Sequence, residues 1–249
     1  MYTSLERYTA GRRSHLGGGL IRALVRILVL FVILYLVLTS MLVSAFRVDS
    51  VSMQPLLQPL DRILVSPLVF GSRLLFFRAR LPALREPERG DVVVIRSPLY
   101  GSPSTVVSLF EPLARVLTLQ RGTLVRDPLG RPAPRYMVKR LVAVPGDTVF
   151  LKDYQAFVRP GGSGEFVAEE RLSESPYQTV RTALPEGWRP ELPFSGDLEA
   201  VTLAEGQYFV LGDNRPSSSD SRSWGPIGRE RIVAKVLLRY WPFARGGRL

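Results

Sequence analysis

The chain has 249 residues, which suits one domain or two small ones, and 33 Lys and Arg against 22 Asp and Glu leave a net charge of +11. A hydrophobic content of 46% excludes disorder throughout. The chain has no cysteine and one histidine, His15, which excludes disulfide scaffolds, zinc sites with Cys or His ligands, cysteine nucleophiles and a Ser-His-Asp triad.

The first 26 residues form a basic tail, with five arginines opposed by Glu6 alone. Basic residues elsewhere are spread along the chain and form no compact basic face with interleaved aromatics, so we expect no nucleic-acid partner. The tail precedes an apolar run, a position that favours contact with an anionic membrane surface. We therefore predict that residues 1–26 are a cytoplasmic tail.

The run 27–46 contains no charged residue and is bracketed by Arg26 and Arg47. Twenty helical residues cover roughly 30 Å, the thickness of the hydrocarbon core of a bilayer. The run predicts a single transmembrane helix, and the positive-inside rule places the N-terminus in the cytoplasm and residues 47–249 outside it. The alternative is a cleavable signal peptide, since Val43 and Ala45 offer small residues at suitable offsets, but the run is longer than a signal peptide's apolar region.

Short runs rich in Val, Ile and aromatic residues follow, without the alternation of strands and helices typical of parallel sheets. We therefore predict a mostly β domain built of antiparallel sheets. Strands are predicted at 91–96, 137–144, 148–151, 207–211 and 231–240, with a hairpin tip at 160–164. Two further segments are predicted to be an insertion at about 98–135 and a Pro-rich excursion at about 183–197.

Two segments are more apolar than an ordinary solvent-exposed loop. Leucines, valines and phenylalanines cluster at 68–77, beside three arginines, and recur at helical spacing over 106–117. One interpretation is ordinary hydrophobic core. The other is a surface that dips into the lipid interface, where arginine meets headgroups and the apolar side chains enter the acyl boundary.

Without histidine or cysteine, hydrolysis of an amide bond requires a base of another kind, and a neutral lysine paired with a serine is the economical choice. Lysine serves as a base near neutral pH only when burial lowers its pKa. The chain has three lysines. Lys235 alternates with arginines on the predicted solvent face of a strand, and Lys152 stands at a strand end beside Asp153.

Lys139 lies in a run that is apolar on both faces, so its strand is predicted to be buried and Lys139 to be desolvated. A buried structural ion pair is the alternative role for this lysine. Serines are too numerous to choose among by residue type. Two stretches stand out by context: Ser50–Leu57, just beyond the predicted membrane exit, and Gly212–Ile227, which follows a predicted strand and holds the only asparagine, Asn214.

The chain resembles the bacterial type I signal peptidases, membrane-bound serine proteases with a Ser-Lys dyad. The resemblance extends from the apolar run to the end of the chain. Four blocks carry it, in the family's order: Ser50–Pro55 (SVSMQP), Gly90–Val94 (GDVVV), Lys139–Asp147 (KRLVAVPGD) and Gly212–Ile227 (GDNRPSSSDSRSWGPI).

The resemblance implies roles for individual residues. Ser52 corresponds to the nucleophile and Lys139 to its general base, in agreement with the burial argument. Ser218 corresponds to a hydroxyl that orients the lysine, and Ser50, with the backbone N–H of Ser52, to the oxyanion hole. The remaining correspondences are structural residues near the site: Met53, Asp220 and Arg222.

The family further implies a β-rich catalytic domain that removes signal peptides from exported preproteins after small residues, through an acyl-enzyme, with no metal or other cofactor. We expect preproteins and the lipid bilayer as partners, and the cell membrane as the location, with the catalytic domain extracytoplasmic. One alternative is a membrane-tethered Ser-Lys protease that processes other exported substrates. Another is a tethered β-domain without catalytic activity. The class of penicillin-binding proteins is disfavoured because no Ser-x-x-Lys occurs.

Overall fold

The computed structural model describes residues 19, 21–35, 43–71, 82–100, 134–181 and 196–249. Residue 19 and residues 21–35 are helical and form helix α1, whose side chains are exposed. A second helix, α2, is the single turn Ser221–Trp224. No helix within these ranges is both long and apolar enough to cross a membrane.

Twelve strands are present in the described residues. They are β1 Ser44–Arg47, β2 Arg62–Ser66, β3 Val92–Arg96, β4 Tyr136–Ala143, β5 Thr148–Lys152, β6 Gln155–Arg159, β7 Val167–Ala168, β8 Leu198–Thr202, β9 Gln207–Leu211, β10 Ile227–Gly228, β11 Ile232–Trp241 and β12 Gly247–Arg248. The five predicted strands coincide with β3, β4, β5, β9 and β11 to within one residue at each end. The predicted hairpin tip falls between β6 and β7, which pair as an antiparallel hairpin.

The strands form two antiparallel sheets, as predicted. In the part of the chain described, the larger sheet has the order β1-β2-β11-β3-β4-β9-β10, with β12 added at β11, and the smaller has the order β7-β6-β5-β8. Strand β3 lies in the middle of the larger sheet, and its first four residues are all buried. Since both faces of β3 are covered, its sequence is a continuous apolar run rather than an alternating one.

The C-terminal boundary predicted for the membrane-spanning helix is wrong. Ser44, Ala45 and Phe46, which the sequence analysis placed in that helix, lie in β1 and pair with residues 63–65 of β2. Phe46 packs against the core cluster that contains Met53 and touches the ring of Tyr136 edge-on, with ring centroids 5.9 Å apart. An uncharged run at this point is therefore partly a half-buried strand, which apolar composition alone does not distinguish from a helix.

The apolar segment 68–77 is described only in part. Phe70 is buried, and it packs with Val69 in a core cluster shared with β3 and β4, so these residues belong to the core rather than to a lipid-facing surface. Residues 72–81 and the segment 106–117 lie outside the described residues. So do most of the predicted insertion (101–133) and most of the Pro-rich excursion (183–195).

Candidate active site

Strand β4 carries Lys139 into the interior of the larger sheet. Its side chain is among the largest fully buried ones, with 1% of the residue exposed, and its register partner on β3 is Val93. The Nζ atom donates a hydrogen bond to Ser218 Oγ over 2.8 Å. Lys139 is thus the buried lysine that the strand pattern predicts.

Burial is the main cause that lowers the pKa of Lys139, from its ordinary value of 10.5 to about 8. The charge of Arg222 lowers this pKa further, while the carboxylates of Asp220 and Asp213 oppose the change. A lysine with this pKa exchanges its proton near neutral pH. It can therefore accept a proton from a hydroxyl and return it to an amine.

The other two lysines differ from Lys139. Lys152 is exposed at the end of β5, as predicted. Lys235 was expected on a solvent face, but it is half-buried and its Nζ lies 2.8 Å from Asp91 Oδ1. The reason is the position of β11 between β2 and β3, which brings the Lys235 side chain to the residue that precedes β3.

Ser52 lies in the turn between β1 and β2 and is 8% exposed. Its backbone N–H donates to Ser50 Oγ over 3.1 Å. Met53, the next residue, is 1% exposed and belongs to the core beneath the turn. Local hydrogen bonds from Gln54 N to Val51 O and from Leu57 N to Met53 O close the turn, so Ser52 is held by both packing and backbone contacts.

The loop that follows β9 meets this turn at Gly212. A Cβ atom on Gly212 would lie 2.2 Å from Ser218 Oγ and 2.5 Å from the Ser52 carbonyl oxygen, distances that no side chain tolerates. Only glycine fits at this point, where the Ser52 backbone and the Ser218 hydroxyl come together. Lys139 Nζ lies close by, because it donates to that hydroxyl.

Asn214, two residues later, holds the Ser52 turn in place. Its backbone N–H donates to Ser52 O over 3.0 Å, and its Nδ2 donates to Val51 O over 3.2 Å. In the sequence, Asn214 stands out only as the single asparagine of the chain. Its contact with a turn more than 160 residues away has no local signature in the sequence.

Asp220 and Arg222 form the ion pair that the resemblance implies. Arg222 Nε lies 2.8 Å from Asp220 Oδ1, and Asp220 Oδ2 also accepts from the Gly212 N–H over 3.1 Å. Although burial opposes ionisation, the hydrogen bonds and charge of Arg222 hold the pKa of Asp220 below its ordinary value. Arg222 also donates to the carbonyl oxygen of Ser218, so the pair fixes the loop that carries the lysine's partner.

A second buried ion pair, not predicted from the sequence, involves Arg140, the residue after Lys139 in β4. Arg140 is 4% exposed and makes two hydrogen bonds to the carboxylate of Asp213, of 2.8 and 2.7 Å. Arg140 also donates to the carbonyl oxygen of Gly90, two residues before β3. An arginine within a run of apolar strand residues is the signal that could have found this pair, since buried guanidinium groups require a partner.

A cavity of about 220 Å³ opens beside the Ser52 turn. Its walls are mostly apolar, and they include Ser50, Ser52, Met53, Val94, Met137 and Val138. Ser52 and Ser50 are polar groups in this apolar lining, an arrangement suited to a small apolar side chain next to a reacting carbonyl. Within the described residues, no three Asp, Glu or His side chains group together as ligands for a metal ion.

Comparison with known proteins shows the family of the chain. The family model described as "Signal peptidase, peptidase S26" matches residues 21–241. Signal peptidase I of Pseudomonas aeruginosa is 32% identical over 227 residues, covering 82% of this chain and 67% of that protein. Signal peptidase I of Pseudomonas fluorescens is 30% identical, again covering 82% of this chain and 67% of that protein. Signal peptidase I T of Bacillus subtilis is 34% identical over 50% of this chain and 58% of its own length. The chain therefore belongs to the peptidase S26 family of signal peptidases.

Proposed function

We propose that the chain is a membrane-tethered serine endopeptidase that removes signal peptides from exported preproteins after small residues, with Ser52 as nucleophile and Lys139 as general base. One observation carries this proposal. The only fully buried lysine in the described residues has its pKa lowered to about 8 and contacts Ser218, whose hydroxyl and the Ser52 backbone pack against the same glycine.

The mechanism follows from these groups. Lys139 in its neutral form accepts the proton of the Ser52 hydroxyl as Oγ attacks the carbonyl carbon at the cleavage site. The oxyanion that forms accepts hydrogen bonds from the N–H of Ser52 and the hydroxyl of Ser50. The Ser52 N–H, which in this structure donates to Ser50 Oγ over 3.1 Å, exchanges that partner for the oxyanion. Ser218 holds Nζ in position throughout.

The C–N bond then breaks as Lys139 returns its proton to the leaving amine, and the signal peptide remains attached to Ser52 as an ester. A water molecule, deprotonated by the neutral lysine, attacks the ester carbonyl and releases the signal peptide with a free carboxylate. The proton returns to Ser52 Oγ, so the enzyme ends in its starting state. The small apolar cavity beside Ser52 supports the preference for small residues before the cut.

The tether is proposed from the sequence. The uncharged residues 27–43 precede β1 and would span about 25 Å as a helix, at the short end of the range for a bilayer crossing. The basic tail before them supports a cytoplasmic N-terminus and an extracytoplasmic catalytic domain. A shared membrane would bring the enzyme and the apolar part of the signal peptide together in two dimensions and raise their effective concentration.

The test is cleavage, in detergent, of a purified preprotein with a small-x-small cleavage site. The full chain is compared with Ser52→Ala and Lys139→Ala, and with Ser217→Ala and Lys152→Ala as controls, since both control residues are exposed. We expect cleavage at that site by the wild type and by both controls, and none by the first two variants when circular dichroism shows them folded.

Two other results would each favour an alternative. Cleavage of other exported substrates but not of the signal-peptide junction, with the same dependence on Ser52 and Lys139, would indicate a tethered Ser-Lys protease of different specificity. Identical behaviour of all five proteins would refute the dyad and favour a tethered binding domain.

A further inference from the structure

A second cavity, of about 440 Å³, also borders the Ser52 turn and shares no lining residue with the first. Its lining consists of Pro55, Leu56 and Gln58 from the turn, the segment 176–178, and Arg239 and Arg245. We propose that this cavity receives the residues that follow the scissile bond, the start of the mature protein, and that it favours acidic side chains there. This inference rests on the proposed function.

The position of the leaving group points toward this cavity. Ser50 and Ser52 line the first cavity, so the acyl half of the substrate lies on that side of the turn. The amine that leaves must accept its proton from Lys139, whose Nζ is hydrogen-bonded to Ser218 Oγ. Ser218 in turn packs against Gly212. The chain that leaves therefore passes the loop that begins at Gly212.

That loop leads directly to the second cavity. Val180 forms a parallel β-bridge with Asn214: its N–H donates to Asp213 O over 2.8 Å, and its carbonyl accepts from Arg215 N over 3.1 Å. Gln178, two residues before Val180, lines the cavity and is exposed. The segment 178–180 thus connects the region where the leaving amine must lie with the cavity.

The charges of the second cavity favour an acidic side chain. The guanidinium groups of Arg239 and Arg245 share one carboxylate, that of Asp61, with N–O distances of 3.4 and 2.7 Å. Asp61 is 1% exposed, whereas the side chains of Arg239 and Arg245 are 15% and 36% exposed. Two positive charges against one buried negative charge leave a net positive charge facing the cavity. An acidic side chain in the substrate complements this charge, and a basic one is repelled.

The experiment uses the full chain and a set of substrates that share one signal peptide and differ only at the first two positions after the cut, carrying Asp, Asn or Lys there. The readout is the ratio of kcat/KM for the Asp substrate to that for the Lys substrate. For the wild type we expect a ratio of about three to ten at low salt, falling as salt increases because the charges are partly exposed.

Two variants of one lining residue test the position of the cavity. Gln178→Glu is expected to lower the Asp-to-Lys ratio by about threefold or more, and Gln178→Lys to raise it, since they change the local charge in opposite directions. Ser163→Glu is the matched control, because it adds the same charge at the exposed turn between β6 and β7. It should leave both the ratio and the overall rate unchanged.

The outcomes distinguish this inference from the one on which it rests. Efficient cleavage at the signal-peptide junction with a ratio near one, or with the same ratio in both Gln178 variants, would overturn the subsite and leave the proposed function intact. A shift of the same size in Ser163→Glu would show a general effect of net charge and would also overturn the subsite. Failure of the wild type to cleave any substrate of the set would overturn both.

Discussion

The pH dependence of activity is the most direct consequence of the buried Lys139. With a pKa of about 8, roughly one lysine in eleven is neutral at pH 7 and roughly ten in eleven at pH 9. Since only the neutral amine serves as a base, kcat/KM is expected to rise about tenfold per pH unit well below pH 8 and to level off above it. At an unshifted pKa of 10.5, the neutral fraction at pH 7 would be several hundredfold smaller.

The assay is the initial rate of cleavage of a small-x-small peptide between pH 6 and pH 10 at constant ionic strength. Lys139→Arg is the companion variant, because a guanidinium group stays protonated over this range, and we expect it to be inactive at every pH. A rate that is flat between pH 6 and pH 9, or retention of activity in Lys139→Arg, would refute the assignment of Lys139 as the base.

Three further predictions concern the energetics of the site. Because the pKa of Lys139 is lower in the folded than in the unfolded state, its burial lowers the free energy of unfolding by roughly 3 kcal/mol below pH 8. This cost disappears as the pH rises from about 8 to 10.5. Calorimetry should therefore show that Lys139→Met raises the Tm at pH 7 and raises it less at pH 10. Gly212→Ala should reduce kcat by about a hundredfold or more and cost about 1–3 kcal/mol in urea unfolding, since its methyl group would lie 2.2 Å from Ser218 Oγ. Asp213→Ala leaves the Arg140 guanidinium buried without its carboxylate and should cost about 3–5 kcal/mol in the same measurement.

Each of these predictions has a control or a contradicting result. An equal change of Tm at pH 7 and pH 10 in Lys139→Met would contradict the linkage to proton binding. Gly212→Ala with normal kcat would show that the close approach at Ser52 and Ser218 does not matter for catalysis. Arg47→Ala removes an exposed ion pair with Asp49 and should cost less than about 1 kcal/mol; a cost as large as that of Asp213→Ala would contradict the role assigned to burial.

Strands with strong, local patterns are predictable from the amino-acid sequence alone. β3, β4, β5, β9 and β11 lie where their Val, Ile and aromatic residues predict them, because the period of a strand is set by neighbours one and two positions away. The sequence also identified Lys139, since a lysine in a run that is apolar on both faces must be buried when the strand is. The lowered pKa follows from that burial.

The tertiary structure alone decided which distant segments meet. Because β11 lies between β2 and β3, Lys235 pairs with Asp91. Because the loop after β9 folds onto the Ser52 turn, Gly212 and Asn214 contact that turn. The tertiary structure also decided that Ser44–Arg47 is a strand, although its first three residues continue the uncharged run that begins at residue 27. An apolar sequence shows that a segment is buried away from water. Whether the segment is buried in lipid, in the protein core or against a partner strand depends on residues far away in the chain.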